Sequence, residues 1–153
     1  MHWPAFAFLA LAALGLSWQD FKTRLLSLWL IVTFAAANAL FSFETYWWRG
    51  LLENALVCLA YLLLLYLCLQ LYFYIKHRRF QKIIDTQLGL GDVLVLFAIG
   101  IGLEPALMIW FFSLGFIISL IISLWLFAKA KSIPLAGLMV LNYLLFLAVR
   151  NLW

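Results

Sequence analysis

The sequence predicts an all-α protein, a polytopic membrane bundle of about six transmembrane helices, and three observations predict it. Hydrophobic residues make up 69% of the 153 residues, charged residues only 10%, and mean hydropathy is +1.12. A soluble domain is typically about half apolar and about a quarter charged, so a chain this apolar needs lipid as its solvent. Apolar runs near spanning length recur along the chain, and the few charges collect in short clusters between them. No Ser/Gly/Pro-rich linker, internal repeat or low-complexity tract divides the sequence, which is read as a single membrane-embedded domain over residues 1–153.

A spanning helix needs about 20 apolar residues. The runs that qualify, in order, are Trp3–Trp18, Leu25–Phe43, Leu51–Ile75, Leu90–Leu103, Pro105–Ala128 and Ile133–Val149. The first lacks the basic stretch that precedes the apolar core of a signal peptide; Lys22 and Arg24 follow it instead, so it is expected to be a retained helix. The fourth is short. From Val93 onward about 11 residues remain, roughly 16 Å at 1.5 Å per residue, against a hydrocarbon core about 30 Å thick. The expectation is a carboxylate, Asp92, held at membrane depth beside Gly89 and Gly91.

Charge position sets the expected orientation. With the N-terminus outside, Lys22, Arg24, Lys76, Arg78, Arg79, Lys82, Lys129 and Lys131 fall on the inner side, and only Arg49 and Arg150 on the outer side. Cytoplasmic loops carry the excess of Lys and Arg, so the opposite orientation is rejected. Trp3, Trp47, Trp48 and Trp153 then mark the outer interface and Trp18 the inner one, where amphipathic rings settle. The basic clusters suit topology anchoring and inner-leaflet lipid contact, with His77 solvated among them; nucleic-acid binding is not expected. Cys58 and Cys68 share one apolar run without a CxxC pair, so they read as packing residues, with no metal site and no cofactor.

Two acids remain that membrane burial would make functional. Asp20 follows the first run in Ser17-Trp18-Gln19-Asp20-Phe21-Lys22, and Asp92 closes Gly89-Leu90-Gly91-Asp92. Both are expected on the cytoplasmic side at the ends of different helices. Two carboxylates sharing a site titrate as a unit: one takes a proton from water while the other donates one to a carbonyl oxygen. Glycines at 89 and 91 would let an extended substrate backbone lie close. Each acid also has a plain structural reading. Asp20 could be an interfacial charge paired with Lys22 or Arg24, and Asp92 a helix N-cap.

The Gly-x-Gly-Asp motif opening a membrane helix, with an earlier Asp at the end of the first, resembles the GxGD aspartic peptidases. Within them the chain is most similar to the type IV prepilin and preflagellin peptidases. Asp20-Phe21-Lys22-Thr23-Arg24 resembles the family's Asp and basic stretch, Gly89–Gly100 its second motif, and Lys131-Ser132-Ile133-Pro134 its Ile-Pro element before the last helix. The chain departs from the pattern at Leu25-Leu26-Ser27, where the family has Ile-Pro-Asn, at Leu94, where it often has Lys, and after Ala136-Gly137, where Pro is missing. The resemblance implies Asp20 and Asp92 as catalytic residues, Gly89 and Gly91 as substrate-binding residues, and a prepilin-like substrate with a basic leader ahead of an apolar helix. It also implies a core-only type without the methyltransferase segment, in a cytoplasmic membrane with the site facing the cytoplasm. Oligomeric state is left open. The rivals are a presenilin-like intramembrane protease, which needs more spans and a Pro-Ala-Leu element, and a non-catalytic membrane scaffold or small transporter subunit.

Overall fold

The computed structural model describes residues 3–78, 89–126 and 134–152. The expectations for Arg79, Lys82, Lys129, Lys131 and Trp153, for the side chain of His77 and for most of the Ile-Pro element lie outside the described residues. Five helices follow in order: α1 (Trp3–Thr23), α2 (Leu28–His77), α3 (Leu90–Ile101), α4 (Pro105–Leu126) and α5 (Leu135–Leu152). The second contains two of the expected runs. Its 50 residues break at Trp47, whose φ of 48° and ψ of 179° are non-helical, so α2 is two arms joined at a kink. Counting the arms separately gives the six helical segments that the hydropathy pattern predicts.

The expected loop between the second and third runs is therefore a single strained residue. Polar Glu44, Arg49 and Glu53 flank it and read in sequence as a connection, but helical hydrogen bonding resumes at once. α1 also runs past Trp18 to Thr23, which puts Asp20 in its last helical turns rather than beyond them.

Among the described residues three helices are long and apolar enough to cross a membrane: Pro4–Thr23, Thr45–Lys76 and Pro105–Ile122. The first arm of α2, α3 and α5 supply shorter apolar helices. The core is built where they meet. Leu9 and Leu16 of α1, Phe34 of α2, Leu96 and Ile99 of α3, and Met139 and Tyr143 of α5 are fully buried. Phe111 stands edge-on to Tyr143 at 5.7 Å, and Tyr61 stacks on Phe112 at 5.6 Å, tying α4 to α5 and to the second arm of α2. Leu11, Trp29, Leu63, Ile117 and Trp125 point outward. In lipid such an exterior has no cost, because the tails are as apolar as the side chains.

α3 is the shortest helix and packs on α2 and α5. Its 12 residues rise only about 18 Å. A helix ending inside a bilayer leaves its last carbonyls without partners, which hydrocarbon makes expensive. α2 supplies them. Asn38 of the first arm donates to the Ala98 carbonyl at 2.8 Å, and Asn54 of the second arm to the Ile101 carbonyl at 3.4 Å. The Asn38 carbonyl accepts the Tyr143 hydroxyl at 2.7 Å. This buried network ties α2, α3 and α5 together at one end of α3. Close approach is completed at Gly100, where a Cβ would collide with the side chain of Cys58. Cys58 is thus a core residue, and Cys68 is exposed.

Candidate active site

At the other end of α3 the fold brings together Asp20 and Asp92. Gly89 is the N-cap of α3, with extended backbone (φ −66°, ψ 137°). Asp92 is the third helical residue, so it is not itself the cap. Its carboxylate reaches back to the Gly89 N–H, half of a capping box. An acid in the first turn is also at the favourable pole of its helix.

Asp20 is at the unfavourable pole of its own helix, near the C-terminus of α1, yet it is only 5% exposed. The explanation lies in α5. The first turn of α5 follows Pro134 and presents N–H groups that have no partner within their own helix. Asp20 Oδ2 accepts the Gly137 N–H at 2.7 Å. Asp92 accepts the N–H of the neighbouring residue, Ala136. Adjacent amides of one helix start thus hold both carboxylates, at the end where the helix dipole favours negative charge. The acids are near enough for the charge of Asp20 to act on Asp92.

Close packing enforces this arrangement. A Cβ on Gly137 would lie 3.1 Å from Asp20 Oδ2 and 3.4 Å from the Ser17 carbonyl oxygen. The Ser17 hydroxyl donates to the Gly137 carbonyl at 3.2 Å, so α1 holds both the N–H and the C=O of the same residue. Arg24 contributes a favourable charge interaction to Asp20, as the simpler reading expects, but it ranks behind the Gly137 amide.

The two glycines of the motif have their open sides filled from within the chain. A Cβ on Gly89 would meet Asp92 Oδ2 at 3.1 Å, and one on Gly91 would meet Leu26 at 3.0 Å. In this conformation they serve the packing of the carboxylate turn, and a substrate backbone lying against Gly91 would have to displace Leu26. Sequence reasoning missed Ser17, Ala136 and Gly137 as parts of the site. The signal available was a Gly in the first turn of a helix announced by Ile-Pro. Among the described residues no group of three or more His, Cys, Asp or Glu side chains is placed to hold a metal ion.

Fold and site together define a class: an all-α membrane protein that converges two carboxylates from separate helices on the start of a third. Residues 7–124 match the family model of the type IV leader peptidase family, and the chain belongs to that family. It is a leader-peptidase-like protease. No curated protein and no solved structure matches it.

Proposed function

We propose that the protein is an aspartic endopeptidase of the GxGD kind, cutting the basic leader from prepilin-like or preflagellin-like substrates at the cytoplasmic membrane face. The observation that carries the reading is the convergence of Asp20 and Asp92 on the adjacent amides of Gly137 and Ala136. Two carboxylates held side by side share one proton, because both cannot ionise easily at such separations.

The chemistry follows from that shared proton. The ionised carboxylate takes a proton from water as the oxygen attacks the scissile carbonyl carbon. The protonated carboxylic acid gives its proton to the carbonyl oxygen, forming a neutral gem-diol. Collapse returns a hydroxyl proton to one carboxylate, breaks the C–N bond and protonates the leaving amine. The pair again holds one proton, and one water has been consumed. The α5 amides keep both carboxylates in place throughout, so little reorganisation accompanies the charge movement.

The surplus of basic residues near the ends of α1 and α2 supports an N-terminus outside and the carboxylates on the cytoplasmic side. A prepilin-like substrate would lie in the bilayer as an apolar helix and bind mainly by packing against the bundle, presenting the leader junction at that surface. The test is cleavage of a co-expressed prepilin-type reporter, scored by the mobility of the product. Asp20→Asn and Asp92→Asn should each abolish processing while the protein still accumulates in the membrane. Full processing by either variant would end the aspartic reading. Absence of processing by the unaltered protein would favour a non-catalytic scaffold or transporter subunit.

A further inference from the structure

The α5 amides are one bridge between the two aspartates; a second runs through the turn between α1 and α2. Arg24 takes the left-handed conformation (φ 54°), and its N–H donates to the Asp20 carbonyl at 3.0 Å, closing the end of α1. The Thr23 hydroxyl lies 2.9 Å from the Gln19 carbonyl and 3.1 Å from the Leu25 carbonyl. Beyond the turn, the Gln19 side-chain carbonyl accepts two hydrogen bonds from one residue, the Ser27 N–H at 3.2 Å and the Ser27 hydroxyl at 3.1 Å.

The second bond is unusual in what it displaces. Ser27 is the N-cap of α2, and its side chain makes no cap bond to that helix. A serine cap is worth about 1 kcal/mol to the helix it starts. Here the hydroxyl turns back to α1 instead. The result fixes Leu26, which lies between the two anchored points and packs on Gly91, the residue before Asp92. A continuous chain of contacts therefore runs from Gln19, the neighbour of Asp20, through Ser27 and Leu26 to the Gly-x-Gly-Asp turn.

We infer that Gln19 is a positioning residue of this peptidase: its bond pair with Ser27 sets the spacing of Asp20 and Asp92 by holding Leu26 against Gly91. The inference rests on the aspartate-pair reading above. Gln19 needs no contact with substrate to act this way, so losing it should lower turnover while leaving binding intact. A catalytic pair displaced by a fraction of an ångström loses rate steeply, because the reacting atoms leave their near-attack geometry.

The experiment uses the full-length chain purified in detergent and a reporter with a basic leader joined to an apolar helix. Gln19→Leu should lower kcat about tenfold with KM within about twofold and little change in the thermal midpoint. Ser27→Ala keeps the backbone donor and should lower kcat about threefold. The double variant should be no slower than Gln19→Leu alone, since both act through one contact. Ser27→Thr, which keeps the hydroxyl, should retain at least half of the kcat. If Gln19→Leu does not accumulate, the same decision falls to Ser27→Ala and Ser27→Thr. Unchanged kcat in Gln19→Leu, multiplicative losses in the double variant, or a loss confined to KM overturns the proposal. Asp20→Asn runs beside them. Cleavage by Asp20→Asn, or none by the unaltered enzyme, overturns the aspartate-pair reading and this inference with it. An inert Asp20→Asn alongside an unimpaired Gln19→Leu overturns the positioning role alone.

Discussion

The two ends of α3 are both polar and both inside the bundle, yet they are built on opposite principles. At the C-terminal end, Asn38, Asn54 and Tyr143 are neutral, and their bonds close on one another and on helix carbonyls. At the N-terminal end, Asp20 and Asp92 are ionisable, and their partners are backbone N–H groups that can donate but not accept. The neutral end ties α2, α3 and α5 to one another. The acidic end brings two ionisable carboxyl groups onto donors from one helix start. Polar residues in a membrane protein are thus not uniform evidence of function: neutral amides that tie helices together mark structure, and converging ionisable groups are the candidates for chemistry.

The largest expected effect that breaks the comparison is at the acidic end. Gly137→Ala pushes a methyl against Asp20 Oδ2 and the Ser17 carbonyl. The kcat for reporter cleavage should fall about ten- to a hundredfold while the thermal midpoint moves little. Wild-type turnover in this variant would mean that the α5 amide is not needed for the carboxylate geometry.

At the neutral end the balance should invert. Asn38→Leu orphans the Ala98 carbonyl and the Tyr143 hydroxyl, and should cost about 1–2 kcal/mol of stability. Cleavage per folded molecule should stay within about twofold. Denaturant titration in detergent measures the first and active-fraction kinetics the second. A silent stability curve with lost cleavage would place the neutral end in the catalytic machinery.

Tyr143→Phe removes only one bond, and should cost about 0.6–1 kcal/mol, with the same intact cleavage. The smallest effect has the opposite sign. Trp47, next to Thr45 and Tyr46 at the far end of the bundle, has a backbone conformation suited to glycine. Such strain is worth about 1–3 kcal/mol, less about 0.5–1 kcal/mol for the extra freedom of an unfolded glycine. With the lost interfacial contacts of the indole also counted against it, Trp47→Gly should stabilise by up to about 1 kcal/mol, and Trp47→Ile should destabilise, both read as shifts in the unfolding midpoint.

The acidic end was partly legible in the sequence, the neutral end hardly at all. Asp20 and Asp92 announce themselves because ionisable groups beside apolar runs are rare. Their holders do not, since the amides of Ala136 and Gly137 are backbone groups that every residue but proline carries. Asn38 and Asn54 stand alone in long apolar stretches and give a weaker signal, though an amide at membrane depth needs a partner there. Helix number and order follow from hydropathy. The continuity of α2 through Trp47 does not, because Glu44, Arg49 and Glu53 carry the polarity of a loop while the backbone remains helical on both sides. The role expected for Gly91 depended on open space, and only the fold shows Leu26 occupying it.

A helix of about 18 Å cannot bridge a hydrocarbon slab of about 30 Å. Some of the missing depth lies beyond its far end, where a cavity of about 130 Å³ opens among Ser42, Tyr46, Gly102 and Arg150. The remainder has to be made up by the bilayer, through local thinning or water drawn down to the carboxylates. Thickness of the surrounding lipid then becomes a control on how easily solvent arrives. In vesicles of progressively longer acyl chains, catalysis would starve of water before the fold itself came apart.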